Sequence, residues 1–177
     1  DARDTYSVGV LKSVDRGLSW SKTGLDFSET NAVANEIYIH PENSDIIWVS
    51  TNKGLFKSLN AGTSWTKQLS NNIVDFKLKP GDPNTVYAVS RSKFYKSANG
   101  GDTFEVISSE LPETSGRFAI DVSAANSEII YILSANIDNS FQGLYRSGDS
   151  GESFKKTAVL EDIFGGSQQA WYDMALT

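Results

Sequence analysis

One octapeptide recurs four times and restricts this chain to a repeat architecture. Its copies are Ser13-Val14-Asp15-Arg16-Gly17-Leu18-Ser19-Trp20, Ser58-Leu59-Asn60-Ala61-Gly62-Thr63-Ser64-Trp65, Ser97-Ala98-Asn99-Gly100-Gly101-Asp102-Thr103-Phe104 and Ser147-Gly148-Asp149-Ser150-Gly151-Glu152-Ser153-Phe154. The pattern is S-x-[DN]-x-G-x-[ST]-[WF], and each copy follows a short β-prone run, at residues 9–13, 54–58, 93–97 and 143–147. The first serines are 45, 39 and 50 residues apart. That spacing is too uneven for a solenoid stacked in register, and it fits larger units joined by loops of unequal length.

A second segment recurs upstream of three copies, at 36–50, 75–89 and 119–133. Each reads as an alternating strand (A), a turn rich in Pro, Asn, Asp or Ser, and a strand rich in β-branched and aromatic residues (B). The run that enters the octapeptide supplies strand C, and the chain leaving its terminal aromatic supplies strand D. Four antiparallel strands of about five residues with tight turns make one blade of a β-propeller. The expected fold class is therefore all-β, a partial propeller of four-stranded antiparallel blades. Full blades are predicted at 36–69, 75–109 and 119–158, and residues 8–22 supply only strands C and D. Residues 171–177 align with strand A and place Asp173 opposite Asp75 and Glu36, for fifteen strands in all. Such an arc needs the remaining blades of a parent chain, or a second copy, to close the ring.

The residue types of the octapeptide suit a C-to-D turn. Gly17, Gly62, Gly101 and Gly151 sit where a reversal requires a positive φ, and Asp15, Asn60, Asn99 and Asp149 can bond backbone N–H groups within the turn. Trp20, Trp65, Phe104 and Phe154 are each expected to wedge into the apolar layer beside the turn. The pattern resembles the Asp-box, or bacterial neuraminidase repeat, of sialidases, xyloglucan hydrolases, sortilin-type receptors and a photosystem assembly factor. The nearest likeness is to the xyloglucan-hydrolase and sortilin-like propellers. The resemblance covers residues 9–177, with Asn60 and Asn99 standing where the motif has Asp. It implies a propeller with the boxes, including Ser13, Ser58, Ser97 and Ser147, as structural turns on its periphery. Function is implied more weakly, because one scaffold serves many functions.

Composition removes several classes. The net charge of −6 argues against nucleic acid, whose phosphates call for a basic patch. With no cysteine there are no disulfides, thiolate metal sites or cysteine nucleophiles. No apolar run approaches a membrane span, so membrane insertion is not expected. A calcium site through Asp15 or Asp149 lacks a dense set of oxygen ligands. His40, the only histidine, precedes Pro41 in an A–B turn. No cofactor or metal is expected, and a secreted or cell-surface location of bacterial type is, with any signal peptide upstream of residue 1.

In an up-and-down blade the A–B and C–D turns share one end, and the B–C and D–A loops share the other. The longest loops, 22–35, 110–117, 135–142 and 159–170, fall at that second end, where a rigid scaffold commonly presents function. Phe27, Phe141, Phe164, Trp171 and Tyr172 are candidate aromatic faces. Asn31, Asn35, Arg117, Asn136, Asp138, Asn139, Gln142, Gln168 and Gln169 are candidate hydrogen-bonding partners. Of these, Phe141, Trp171, Tyr172, Gln168, Arg117 and Asn139 are the leading binding residues, for a glycan or a protein ligand. The alternative for each is a side chain that merely packs or satisfies its loop. Glu36, Asp75, Asp121 and Asp173 on strand A are candidate carboxylates for glycoside hydrolysis, where an acid works with a base or nucleophile about 5–9.5 Å away. A sialidase reading lacks its arginine cluster, nucleophilic Tyr and Arg-Ile-Pro motif. The preferred expectation is a binding module, with a xyloglucanase-type hydrolase as alternative and an assembly factor or sorting receptor as a third class.

Overall fold

The computed structural model describes residues 8–27, 32–158, 161–171 and 174–176. Every regular element among them is a strand: β1 (Leu11–Lys12), β2 (Ser21–Lys22), β3 (Ala34–Ile39), β4 (Ile47–Thr51), β5 (Gly54–Ser58), β6 (Thr66–Leu69), β7 (Asp75–Lys79), β8 (Asp82–Val89), β9 (Phe94–Ser97), β10 (Glu105–Ile107), β11 (Arg117–Val122), β12 (Ile130–Ala135), β13 (Phe141–Ser147) and β14 (Lys155–Lys156). They form the hairpin β1–β2 and three four-stranded antiparallel meanders, β3–β6, β7–β10 and β11–β14. This is a partial β-propeller of four-stranded blades.

The second strand of each meander is the most deeply buried. β4 is buried at every residue, and Val86, Tyr87, Ala88 and Val89 of β8 are fully buried. Their β-branched and aromatic side chains cover both faces of a strand flanked on either side by others. The chain divides into two compact units, residues 1–73 and 74–177. In the first, Leu25, Phe27, Ala32 and Val49 form an apolar cluster against which Val10, Phe56 and Trp65 pack. In the second, Tyr87, Val89 and Phe94 of one meander pack with Phe118, Ile120, Ile132, Tyr145 and Phe154 of the next. Fully burying each of these large side chains contributes about 1.5–3 kcal/mol.

The four octapeptides fold into one turn. Positions four and five both have positive φ: Arg16 (61°) and Gly17 (88°), Ala61 (52°) and Gly62 (85°), Gly100 (67°) and Gly101 (82°), Ser150 (58°) and Gly151 (81°). The N–H of position six donates to the carbonyl of position three, at 3.1–3.4 Å. Two left-handed residues bridged in this way are the type I′ pattern, whose twist matches that of a hairpin. The sequence places the glycine correctly, and the non-glycine residues at position four are held left-handed by the bonds around them. In the last copy Ser147 Oγ accepts from the N–H of Asp149 (3.3 Å) and of Gly151 (2.9 Å) and donates to Asp149 Oδ1 (2.7 Å). Asp149 then accepts from Ser153 N (3.0 Å) and Ser153 Oγ (2.6 Å). The same set recurs around Ser13, Ser58 and Ser97. In the Asn copies the seventh-position hydroxyl reverses its role, accepting from Asn60 Nδ2 and Asn99 Nδ2 at 2.9 Å each.

Two expectations are corrected. The terminal aromatics do not all wedge: Phe154 is buried, Trp65 and Phe104 are half-buried, and Trp20 is 62% exposed. Phe154 meets Phe94 of the preceding meander edge-on at 4.8 Å, whereas no sheet precedes β1–β2 among the described residues to receive Trp20. The strand expected over 171–177 is not formed among the described residues, since Trp171 lies in a turn and 174–176 are irregular. Met174 and Leu176 nevertheless join the apolar cluster of Ala119, Leu133, Ala135 and Ala170. A strand is defined by its ladder to a neighbour, and among the described residues neither 171 nor 174–176 belongs to one; residues 172, 173 and 177 lie outside the described residues.

Candidate functional site

Backbone bonds fix which turns share an end. Position four of the octapeptide donates its N–H to the A–B end of the same meander in three cases: Ala61 to Asp45 in the turn (2.9 Å), Gly100 to Asn84 near the start of β8 (2.6 Å) and Ser150 to Glu128 in the turn (3.0 Å). The octapeptides thus occupy the A–B end of each meander, and the B–C and D–A loops occupy the other.

Hydroxyl residues at the close of the second strand organise that opposite end. Thr51 Oγ1 donates to Gly54 O (2.9 Å), Ser90 Oγ accepts from Lys93 N (3.2 Å), and Ser134 Oγ donates to Gln142 Oε1 (2.6 Å). In the β11–β14 meander the pattern grows into a network. Ser115 Oγ, which is buried, lies 2.7 Å from Ala135 O, 3.1 Å from Arg117 O and 3.1 Å from Ser134 Oγ, and Gln142 Nε2 donates to Thr114 O (3.0 Å). Asn136 Nδ2 reaches Ser140 Oγ (2.9 Å) and Phe141 O (3.2 Å). Loops 110–117 and 135–142 are therefore tied together, and Thr114, Asn136, Ile137, Asp138 and Gln142 line a shallow cleft of about 420 Å³. The Ser140 hydroxyl and N–H, both donating to Asp138, hold its carboxyl below the usual carboxylate range, so Asp138 is anionic at neutral pH.

Beside the cleft, Phe141 meets Phe164 edge-on at 5.5 Å, and both pack against the cluster around Ala170 and Met174. Arg117 Nη1 donates to the carbonyls of Trp171 (2.8 Å) and Ala170 (3.3 Å), which holds Trp171 on the surface at 64% exposure. Asp162 accepts from Phe164 N and Gly166 N, each at 2.9 Å, and shapes the loop that brings Phe164 back to the sheet.

Phe141, Arg117, Asn139 and Trp171 thus come together in the β11–β14 meander, with Gln168 and Gln169 exposed on the adjoining loop. Asn139 lies in a turn at φ 66°, and its N–H donates to Asn136 O. Tyr172, Asp173 and Asn31 lie outside the described residues. Phe27 offers no ligand face, because it is buried and packs against Phe56. Asn35 Nδ2 donates to Ile73 O (2.7 Å) and ties its own loop. Sequence reasoning passed over Ser115, Ser134 and Thr114, although a hydroxyl recurs at Thr51, Ser90 and Ser134, directly after each aligned segment.

The candidate carboxylates are distributed differently. Asp75 Oδ1 pairs with Lys77 Nζ (2.8 Å), and Asp75 Oδ2 accepts from Ile120 N (3.0 Å), so it satisfies an N–H on the inner edge of the next meander. Asp121 stands on β11 opposite Tyr131, and Glu36 stands on β3 opposite Ser50 in the first unit. His40 stacks on Trp48 at 5.9 Å and accepts from Glu42 N (3.1 Å), which is a turn-forming role. Asp15 and Asp149 are held at about 2 by hydrogen bonds from Ser19 and Ser153 respectively, and then from Ser13 and Ser147. Their oxygens are committed to the turn. Among the described residues no group of three or more His, Asp or Glu is placed to hold a metal ion.

No family model matches the chain. In sequence it is similar to a xyloglucanase of Paenibacillus sp., at 26% identity over 170 residues, covering 91% of this chain and 16% of that protein. In structure it is similar to an ancestral GH74 enzyme, with a TM-score of 0.70 and 22% identity over 88% of this chain and 22% of the other. It is also similar to the GH74 enzyme of Niastella koreensis, with a TM-score of 0.68 and 17% identity over 84% of this chain and 26% of the other. The chain spans about a sixth to a quarter of these relatives' lengths. The likeness establishes a propeller segment related in fold to glycoside hydrolases.

Proposed function

We propose that this chain is part of an Asp-box propeller of the xyloglucanase-like type and that its B–C and D–A loops bind a β-glucan-based polysaccharide. The observation that carries the reading is the similarity to the Paenibacillus xyloglucanase along 91% of the chain. The site chemistry agrees with it. Sugar rings present apolar faces that stack on aromatics and hydroxyls that need fixed polar partners. Exposed Trp171 beside the Phe141–Phe164 pair supplies the first, and the cleft of Thr114, Asn136, Asp138 and Gln142 supplies the second.

Binding is the preferred role of this segment, with acid–base chemistry as the alternative. Asp75 is committed to Lys77 and the Ile120 N–H, leaving Glu36, Asp121 and Asp173 as the carboxylates of the hydrolase reading. The protein works outside the cytoplasm, where such polymers are met. Affinity electrophoresis through gels containing xyloglucan tests the proposal. Retardation of the native chain, lost on Trp171→Ala and reduced on Phe141→Ala, is the expected result; unretarded migration in xyloglucan and in other plant glucans refutes it.

A further inference from the structure

One meander departs from a pairing that the other two keep. On the outer strands Lys67 stands opposite Phe56, Val106 opposite Tyr95 and Lys156 opposite Tyr145. The residue that opens strand C shows the reverse exchange, with Gly54 and Gly143 in the first and third meanders and Lys93 in the second. Where glycine opens the strand, the lysine side chain runs across it: a Cβ on Gly54 would lie 3.3 Å from Lys67 Cδ, and one on Gly143 2.7 Å from Lys156 Cε. Both lysines are engaged there, Lys67 Nζ over the Phe56 ring at 5.2 Å and Lys156 Nζ on Gln142 O at 2.9 Å. Lysine is a usual guard of an edge strand, and β10 lacks it. Val106 is 52% exposed, and the Lys93 ammonium makes no hydrogen bond or ion pair among the described residues.

The β7–β10 meander has an open cleft of about 330 Å³ at this place. Val106, Ile107, Leu111 and Pro112 supply its aliphatic lining, and Ser92, Lys93 and Glu113 much of its polar lining. The lining is held in place. Ser90 N donates to Lys93 O (2.9 Å) and Lys93 N to Ser90 Oγ (3.2 Å), which closes the B–C turn. Leu111 N donates to Ser108 O (3.3 Å) across Glu110 at φ 51°, and Leu111 is buried in the cluster that Ile107 packs against. The cleft adjoins the one already described, because Glu113 lines this one and Thr114 the other, with Cα atoms about 3.8 Å apart.

The two clefts differ in chemistry. No aromatic residue lines the second, so it offers no flat face to a sugar ring. A bare ring would also set hydroxyls against four aliphatic side chains that cannot bond them. A compact group that joins a methyl to an acceptor suits the lining better. Its methyl meets Val106 and Leu111, its carbonyl accepts from Lys93, and Glu113 is left for a hydroxyl of the sugar that bears it. We propose that this cleft is a second subsite, which takes an O-acetyl substituent on a sugar next to the one in the Thr114–Gln142 cleft. The inference rests on the glycan reading and adds the decoration that is recognised.

Calorimetry on the intact chain tests it, with an O-acetylated xyloglucan oligosaccharide and the same oligosaccharide after alkaline de-acetylation. The expected result is at least threefold tighter binding of the acetylated form. The paired variant Lys93→Gly, Val106→Lys rebuilds the glycine–lysine pair of the other meanders, and its melting temperature is read alongside. It is expected to lose the preference and to keep the affinity for the de-acetylated form, whereas Trp171→Ala weakens both. Equal affinity for the two forms, or a preference that survives in the paired variant, overturns the subsite and leaves the glycan reading in place. Tighter binding of an N-acetylglucosamine oligomer than of the acetylated glucan overturns the ester assignment, and no binding of either glucan form overturns both readings.

Discussion

Gly151→Ala measures how closely the octapeptide turn is pressed against its neighbour. Two costs are involved, and Gly81→Ala separates them. Gly81 and Gly151 have nearly the same φ, 78° and 81°, so each alanine incurs a left-handed strain of about 1–2 kcal/mol. A Cβ at Gly81 meets nothing within 4 Å, whereas at Gly151 it lies 2.9 Å from Phe94 Cζ, 3.1 Å from Cε1 and 3.2 Å from Ile130 Cδ1. Phe94 and Ile130 are fully buried and have no room to retreat. Overpacking of this kind costs about 1–3 kcal/mol. Gly151→Ala is therefore expected to destabilise the second unit by about 2–5 kcal/mol and Gly81→Ala by about 1–2 kcal/mol. Urea denaturation followed by near-ultraviolet circular dichroism reads the difference, which corresponds to roughly 4–8 °C in melting temperature per kcal/mol for a unit of this size. Equal losses for the two variants would refute the claim that contact with Phe94 holds the turn.

Three other outcomes follow from the same geometry. Phe154→Ala is expected to cost about 3–5 kcal/mol and Trp20→Ala less than about 0.5 kcal/mol, because the first side chain is 1% exposed and the second 62%; chemical denaturation of both variants checks it. The Asp149 carboxyl has its pKa lowered to about 2, chiefly by Ser153. Its contribution to stability is complete above the unfolded carboxylate value of about 3.9 and is lost as pH falls toward 2. Asp149→Asn is expected to keep the turn, as Asn60 and Asn99 already do, while shallowing the fall in stability from pH 4 to pH 2; urea midpoints against pH would show it. Ser115→Ala removes a buried hydroxyl bonded to two loops. It is expected to cost about 1–2 kcal/mol and to weaken any glycan binding with it, read by calorimetry on the folded variant.

The meanders were legible because β-branched and aromatic residues cluster at strand period and recur with the octapeptide. Gly62 and Gly151 announced a left-handed turn residue, but the matching conformation of Ala61 and Ser150 was hidden, because only the surrounding bonds impose it. The serine that opens each copy was visible as a repeat and silent as to role, since one hydroxyl serving two N–H donors and a carboxylate depends on coordinates. The uneven burial of Trp20 and Phe154 was equally unreadable, because it depends on whether a neighbouring sheet is present. At the candidate site, the prediction that the B–C and D–A loops lie opposite the octapeptides followed from strand parity alone. Which loop residues point outward did not follow: Phe27 and Asn35 turned inward, and Arg117 spends its guanidinium on backbone carbonyls.

Amide chemical-shift mapping of the full chain with xyloglucan oligosaccharides tests the functional reading most directly. The account predicts perturbations at Thr114, Arg117, residues 136–142, Phe164 and Trp171, with the four octapeptides unmoved. Perturbations concentrated on the octapeptide end, or none at millimolar oligosaccharide, would contradict it.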